Sequence, residues 1–370
     1  MSNLLLKTLS LTAATAVLGS PALAGPTYES ASGGSFTFYG HLNPSFLSVD
    51  DGVNDYSDAA DNSSSPSRIG FYLRQPLGQN TFQFNFETGL SLRGTSDLSQ
   101  GTDPNWVDWD RTDIRKVDFS LSGNYGTFSA GQGSMAADGA AFADLSGTDL
   151  AASASVEDLA SSFELTTTAG ALSGISIGDA FPTFDGGRLG RVRYDTVSLN
   201  GFTLSASYGT DILTVGDEDE AYDVAVRYGK QFGDVKIDGA LAVTWNDNAG
   251  ATADTRDTVA SLSAMHSSGF NAAISYGDRD TTGNYGYIKL GYTADLFAIG
   301  STAVSVDYYT GDDLVSAGSE SESYGVALVQ NIDDANMETY LGYREYSYED
   351  SSTTTYNDLK AVIFGARWKF

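Results

Sequence analysis

Residues 361–370 read "AVIFGARWKF". At a period of two, Val362, Phe364, Ala366, Trp368 and Phe370 share one face, while Ala361, Ile363, Gly365, Arg367 and Lys369 share the other. Alternation of this kind describes a β-strand whose two faces meet different surroundings. A chain terminus usually frays into water, so Phe at position 370 with Trp two residues before it needs an apolar environment.

Composition narrows the choice of environment. The 370 residues contain 41% apolar, 12% aromatic and only 18% charged side chains. There is no cysteine, which excludes disulfides and thiolate chemistry, and two histidines leave little room for His-based catalysis or metal sites. The start, "MSNLLLKTLSLTAATAVLGSPALA", combines Lys7, an apolar stretch and the small-x-small ending Ala22-Leu23-Ala24. It reads as a secretory signal peptide over 1–24, cleaved after Ala24, with the mature protein spanning 25–370. Cleavage leaves 19 basic residues against 48 acidic ones, a net charge of −29. Such a balance opposes nucleic-acid binding, which needs a basic surface. Beyond the signal, no apolar run approaches the ~18 residues of a spanning helix. The mature protein is therefore either soluble in the envelope or crosses a membrane as a closed β-barrel, the only non-helical structure that pairs every backbone group in lipid.

Working back from 361–370, short alternating segments fill the chain. Strands are predicted at 35–49, 68–76, 81–93, 113–122 and 127–134, with eleven more between 188 and 370. Tight turns such as "NG" and "FGD" take turns with longer acidic connections such as "ILTVGDEDE" at 212–220. The count of sixteen, the strict alternation of short and long connections and strand lengths of ~10 residues predict an all-β, sixteen-stranded antiparallel transmembrane barrel, with short periplasmic turns and long extracellular loops. A soluble β-sandwich also alternates, but nothing in it requires alternating loop lengths. In the barrel, Trp368 and Phe370 sit at the membrane–water boundary, and Arg367 and Lys369 look into a wet interior.

The longest gap, 135–187, is too long for a plain connection and rich enough in Ala, Leu and Phe to pack against something. It is the candidate constriction loop, carrying Asp138, Asp144, Asp149, Glu157, Asp158 and Glu164. Helix capping is the competing role for these acids, with Asp149 ahead of "LAASA" and Ser155 with Asp158 as a capping box. Strand phase assigns Arg68, Arg74, Arg93, Arg191 and Arg193 to a basic inner wall facing that loop, a pairing that would set a transverse field across the lumen. Arg115 falls in phase with Val117 and Phe119 and is expected at the outer rim. Asp217, Glu218, Asp219 and Glu220 are candidate calcium ligands on an extracellular loop, although their spacing matches no defined calcium loop. No GxSxG, Walker or comparable catalytic constellation is present, so no enzymatic activity is expected.

"RLGRVRYDTVSLNGFTLSASYG" (188–209), the "GNYGTFSAGQ" hairpin (123–132) and the terminal "ARWKF" resemble the general diffusion porins of Gram-negative outer membranes. The resemblance covers essentially the whole mature chain. It implies a homotrimer, a third loop folded into the lumen, contact with outer-membrane lipid and lipopolysaccharide, and recognition of Phe370 by the barrel-assembly machinery. The Pro-Glu-Phe-Gly tip of enterobacterial third loops has no counterpart here. A passive channel for ions and small hydrophilic solutes with weak cation preference is the leading reading. A substrate-selective channel, for sugars or anions, and a plugged structural barrel are the alternatives.

Overall fold

The structure, a computed structural model, describes residues 25–102, 104–216, 219–249 and 253–370. The expected signal peptide, Asp217 and Glu218 lie outside these residues. Sixteen antiparallel staves close into one barrel. Stave β1 is Ser35–Leu42 continued by Pro44–Asp50, and β2 is Asp55–Asp61 continued by Arg68–Leu77. They are followed by β3 (Asn80–Gly89), β4 (Ile114–Gly123), β5 (Gly126–Ser134), β6 (Arg188–Asp195), β7 (Phe202–Thr210) and β8 (Glu220–Phe232). The circle continues with β9 (Val235–Asp247), β10 (Thr255–His266), β11 (Phe270–Arg279), β12 (Asn284–Phe297), β13 (Gly300–Asp312), β14 (Glu320–Ile332), β15 (Met337–Glu349) and β16 (Leu359–Lys369). Stave β16 pairs with β1, Phe364 opposite Phe46, so no main stave is left as a free edge.

Two expectations about the first staves need correction. The strand expected over 35–49 is interrupted at Asn43, whose side chain is buried and receives a hydrogen bond from Tyr340 Oη at 2.8 Å. The polar stretch expected to be loop up to residue 67 contains Asp55–Asp61, which pairs along Pro44–Asp50. "DYSDAAD" has no apolar alternation because this segment continues the wall beyond the apolar band, where both faces are polar or packed on protein.

The outer face carries the apolar band. Leu262, Ile274 and Ile288 are cross-strand neighbours, as are Leu290, Val306 and Val326, and Leu328, Leu341 and Phe364; all are exposed. In water such a surface would aggregate; in lipid it is the expected boundary of a membrane barrel. Val362, Phe364 and Trp368 are exposed on it, as their alternation predicts, and the Phe370 ring stacks on Phe38 at 5.8 Å.

Short turns gather at one rim. At β6–β7, Asn200 and Gly201 both have positive φ, +53° and +96°, the conformation of a two-residue turn that matches strand twist. Gly269, in the β10–β11 turn, has φ +95°, and a Cβ there would collide with the Thr293 carbonyl, so only glycine fits.

The interior is not uniformly wet. Ala361 and Ile363, on the inner face of β16, are fully buried, as are Leu47 and Leu359. They join Leu150, Leu165, Ile177 and Phe181 of the long loop in one hydrophobic cluster. The loop therefore supplies the apolar material that a water-filled barrel would lack.

Candidate channel constriction

Residues 135–187 fold inward and run along the inner wall of the barrel. The neck closes where Met135 N donates to Gly187 O at 3.0 Å. From there the loop backbone is met by inward side chains of successive staves. Arg193 Nη1 donates to the Met135 carbonyl at 2.7 Å, and Arg227 donates to those of Ala136 and Asp138, both at 2.7 Å. The Asp223 carboxylate accepts from Ala137 N at 2.7 Å. Ser261 Oγ donates to Ala140 O at 2.6 Å, and Ser263 Oγ accepts from Leu145 N at 3.0 Å. Tyr309 Oη donates to Pro182 O at 2.8 Å, and Tyr346 Oη to Val156 O. Small polar inner-wall residues suit water, but here several of them satisfy a loop backbone that would otherwise be buried unpaired.

One side chain holds the loop's middle. Lys289 of β12 is fully buried; its ammonium pairs with Asp144 and donates to Ala152 O at 2.6 Å, Ser146 Oγ at 3.1 Å and Thr148 Oγ1 at 3.3 Å. A neighbouring pair, Arg344–Asp307 at 2.7 Å, is equally buried in the wall.

The six loop acids have different fates. Asp138 faces Arg188 at 3.6 Å and Asp144 is held by Lys289. Asp149 is exposed and has no ion pair among the described residues. Glu157 accepts from Thr183 Oγ1 at 3.0 Å, and burial pushes its carboxyl up to about 7. Asp158 lies next to it and beside Ser64, raised well above the usual range by burial and then by the charge of Glu157. Glu164 accepts from Gly174 N at 2.8 Å inside a small hairpin, Glu164–Thr166 with Leu172–Ser176, which makes it part of the loop's own scaffold. The capping roles are corrected: a 3₁₀ turn does form at Val156–Leu159 with Ser155 at its N-cap, but the Ser155 side chain makes no capping bond and meets Thr183 Oγ1 instead, while Thr148 O, not Asp149, receives Ala151 N and Ala152 N. Asp185, not among the expected acids, accepts from Gly139 N at 2.6 Å and Ala141 N at 2.8 Å, and burial pushes it to about 7.

The basic wall is a different set from the one expected. Arg68 is on it, 3.9 Å from Glu87. Arg74 lies on the short-turn side of β2, bonded to Gln83 at 2.6 Å and stacked over Tyr72. Arg191 is buried against Asp118 at 2.9 Å, and Arg193 pairs with Asp195 at 2.7 Å while holding the loop neck, so both are anchors more than open wall. Arg93 is not on the wall: it is buried beyond β3, pairs with Asp58 at 2.7 Å and packs over Trp106. Arg115 is not at the outer rim either; its Nε is 2.6 Å from Glu87 Oε1. The cause is a β-bulge. Glu87 pairs with Lys116 and Thr88 with Ile114, which leaves Arg115 as the extra residue and turns it inward beside Lys116. Alternation alone would also send Arg188 outward with Val192, but it sits where the loop joins β6 and turns to Asp138.

Arg68, Arg115, Lys116 and Arg188 are thus mutual neighbours around Glu87, on the side of the lumen away from the loop's Lys289 anchor. Glu87 also accepts from Tyr39 Oη at 2.8 Å. Cations on one wall and carboxylates on the loop make a field across the opening, not along it.

A sequence model of the Gram-negative porin family matches residues 10–351. The chain is a Gram-negative porin. It is a channel-forming protein of the outer membrane, in a family of channels that are not enzymes. No curated protein sequence matches it. Among solved structures, the anion-selective porin from Comamonas acidovorans superposes with a TM-score of 0.60 at 17% identity, over 91% of this chain and 100% of that one. Outer-membrane expressed OmpT of Vibrio cholerae gives 0.57 at 14% identity, over 93% of this chain and 100% of that one. Pseudomonas putida OprB gives 0.60 at 9% identity, over 90% of this chain and 94% of that one. At these identities the likeness is one of fold. Among the described residues no group of three or more His, Asp or Glu side chains is placed to hold a metal ion. Of the four candidate calcium ligands only Asp219 and Glu220 are described, and Glu220 opens β8.

Proposed function

We propose that this porin is a passive channel for ions and small hydrophilic solutes, weakly cation-selective, working as a homotrimer. The observation that carries the reading is the position of residues 135–187: folded inside the barrel, bonded to the wall, and facing Arg68, Arg115, Lys116 and Arg188. Selectivity is weak because loop acids and wall bases offset one another. The sign follows the mature chain's net −29, much of it in acidic loops at the mouth. An anion-preferring constriction is the second reading, favoured by four bases gathered around the single Glu87. Trimerisation draws support from a trimer form of Vibrio cholerae OmpT, 15% identical with a TM-score of 0.56. Phe370 is the proposed handle for the barrel-assembly machinery, and outer-membrane lipid and lipopolysaccharide are the proposed neighbours of the apolar band. Calcium at Asp217, Glu218, Asp219 and Glu220 is proposed as an accessory role; melting curves with and without calcium that superimpose would remove it.

The test is single-channel current in a planar bilayer under a salt gradient. Expected are closures in three equal steps and a reversal potential on the cation side. Glu157 and Asp185, each with a carboxyl near 7, ionise as pH rises from 6 to 8, so cation preference should grow over that window. An anion-directed reversal would select the second reading. Folded protein without conductance would leave a plugged structural barrel.

A further inference from the structure

A pocket of about 410 Å³ lies on the long-loop side of the constriction loop's neck, between residues 185–189 and the inner faces of β8–β11. That volume is within the range of small-molecule sites. Three groups at it keep unused capacity. Arg279 of β11 gives Nε and Nη2 to Asp257, at 2.7 and 2.8 Å, and its Cζ lies over the Phe184 ring at 4.7 Å. The side chain is thereby fixed yet 34% exposed, and its Nη1 makes no hydrogen bond among the described residues. A guanidinium has five donors, so the fork of Nη1 with the second Nη2 proton stays open. Asp185 accepts from Gly139 N and Ala141 N and has no ion pair among the described residues. Arg227, whose charge reaches it, is committed to the carbonyls of Ala136 and Asp138. The third group is Asn246 of β9. A carboxylate can only accept, so the amide must turn its nitrogen to Asp257, at 3.1 Å, and Oδ1 is left as an acceptor beside the Arg279 fork. The other charges nearby are occupied: Arg188 turns to Asp138, and Asp223 to Ala137 N.

From these three groups we infer that the pocket binds the zwitterionic head of an α-amino acid passing through the lumen. The carboxylate takes the Arg279 fork, the planar pairing for which a guanidinium is suited. The ammonium reaches Asp185 and Asn246 Oδ1. Arg279 and Asp185 do not pair with each other, so a ligand that carries both charges stands between them. Its side chain lies toward Met135, Leu189 and Ala221. A simple anion or a simple cation fits less well, because it answers one charge of the pocket and leaves the opposite one facing it. The inference rests on the lumen being open to solutes, as proposed above.

The probe is L-leucine, titrated by calorimetry at pH 8 into the full mature chain folded in detergent. Isocaproate, which is leucine without the ammonium, and isoamylamine, which is leucine without the carboxylate, are the controls. Saturable binding of leucine is expected with a Kd on the order of 1 mM, and either control should bind about tenfold more weakly. Asn246→Ala keeps the Arg279–Asp257 pair and should weaken leucine binding about tenfold. Arg279→Gln with Asp257→Asn removes both charges together, so neither is left uncompensated, and should abolish it. If that double variant fails to fold, Asn246→Ala and the two controls still decide. No saturable heat from leucine, a control that binds as tightly as leucine, or unchanged binding by folded variants overturns the inference. Bilayer conductance measured on the same preparations separates the two ideas. Conductance without binding removes the pocket alone; binding without conductance removes the passive-channel reading and leaves the pocket standing.

Discussion

Lys289→Met is expected to destabilise the barrel by about 3 kcal/mol and to raise single-channel conductance. Lys289 is fully buried and is the common partner of Asp144, Ser146, Thr148 and Ala152. Methionine conserves much of the volume, so the loss reports the ammonium and not a cavity. Removing one member of a buried pair leaves the other uncompensated, which is the costly half of the exchange. Part of the cost returns if Asp144, which keeps some exposure, turns to water. The middle of the loop would then lean on its remaining ties and move, and the opening beside it would change. Urea unfolding followed by the gel-mobility difference between folded and unfolded barrel reads the stability. The bilayer reads the conductance. Asp144→Asn in the Lys289→Met background should recover part of the loss, since the two residues couple directly. Unchanged unfolding midpoint and unchanged conductance would show that Lys289 is not the loop's anchor.

The second large effect concerns charge. Arg68→Gln, Arg115→Gln and Lys116→Gln together remove three positive charges from one wall and should raise the cation-to-anion permeability ratio several-fold, on the order of what a local field of a few kT produces. Glu87, buried among these bases, would lose its three nearest cations and keep only Tyr39 Oη and the neighbouring Arg188, so Glu87→Gln added to the triple variant guards against misfolding. That quadruple variant should keep most of the shift, because it still removes three positive charges for one negative. The effect should shrink as salt rises, since the Debye length falls from about 10 Å at 0.1 M to about 3 Å at 1 M. A reversal potential unmoved in the folded triple variant at low salt would place the permeation path away from this wall.

Part of this was legible from residue order. The period of two in 361–370 separated Val362, Phe364 and Trp368 from Ala361 and Ile363, and the structure keeps that separation. Alternation survives because lipid penalises any backbone group or charge turned the wrong way, so each stave repeats the same instruction locally. The loop was legible as well, from its length and its Ala, Leu and Phe content. What escaped was contact. Arg115 and Lys116 are adjacent, and strict alternation must send one of them outward; only the bulge opposite Glu87 and Thr88 brings both inside. Arg93 kept the right phase but lay beyond the wall, beside Asp58 and Trp106, which no spacing indicates. Inward serines suit water, yet Ser207, Ser261 and Ser263 meet the loop backbone instead, because a buried backbone must find partners wherever the wall offers them.

Residue order by itself determined the number of staves, the face each presents to lipid, the rim that holds the short turns and the one segment too long and too apolar for a plain connection, whereas its folding into the lumen was implied by the family resemblance. These are properties of single strands and their connections, written at a period of two and enforced by the membrane. The tertiary structure decided which charges meet: Lys289 with Asp144, Arg188 with Asp138, and Arg68, Arg115 and Lys116 with Glu87. Those meetings depend on the loop's path and on a one-residue bulge. Residues far apart in sequence become neighbours only when the barrel closes and the loop is drawn against its wall.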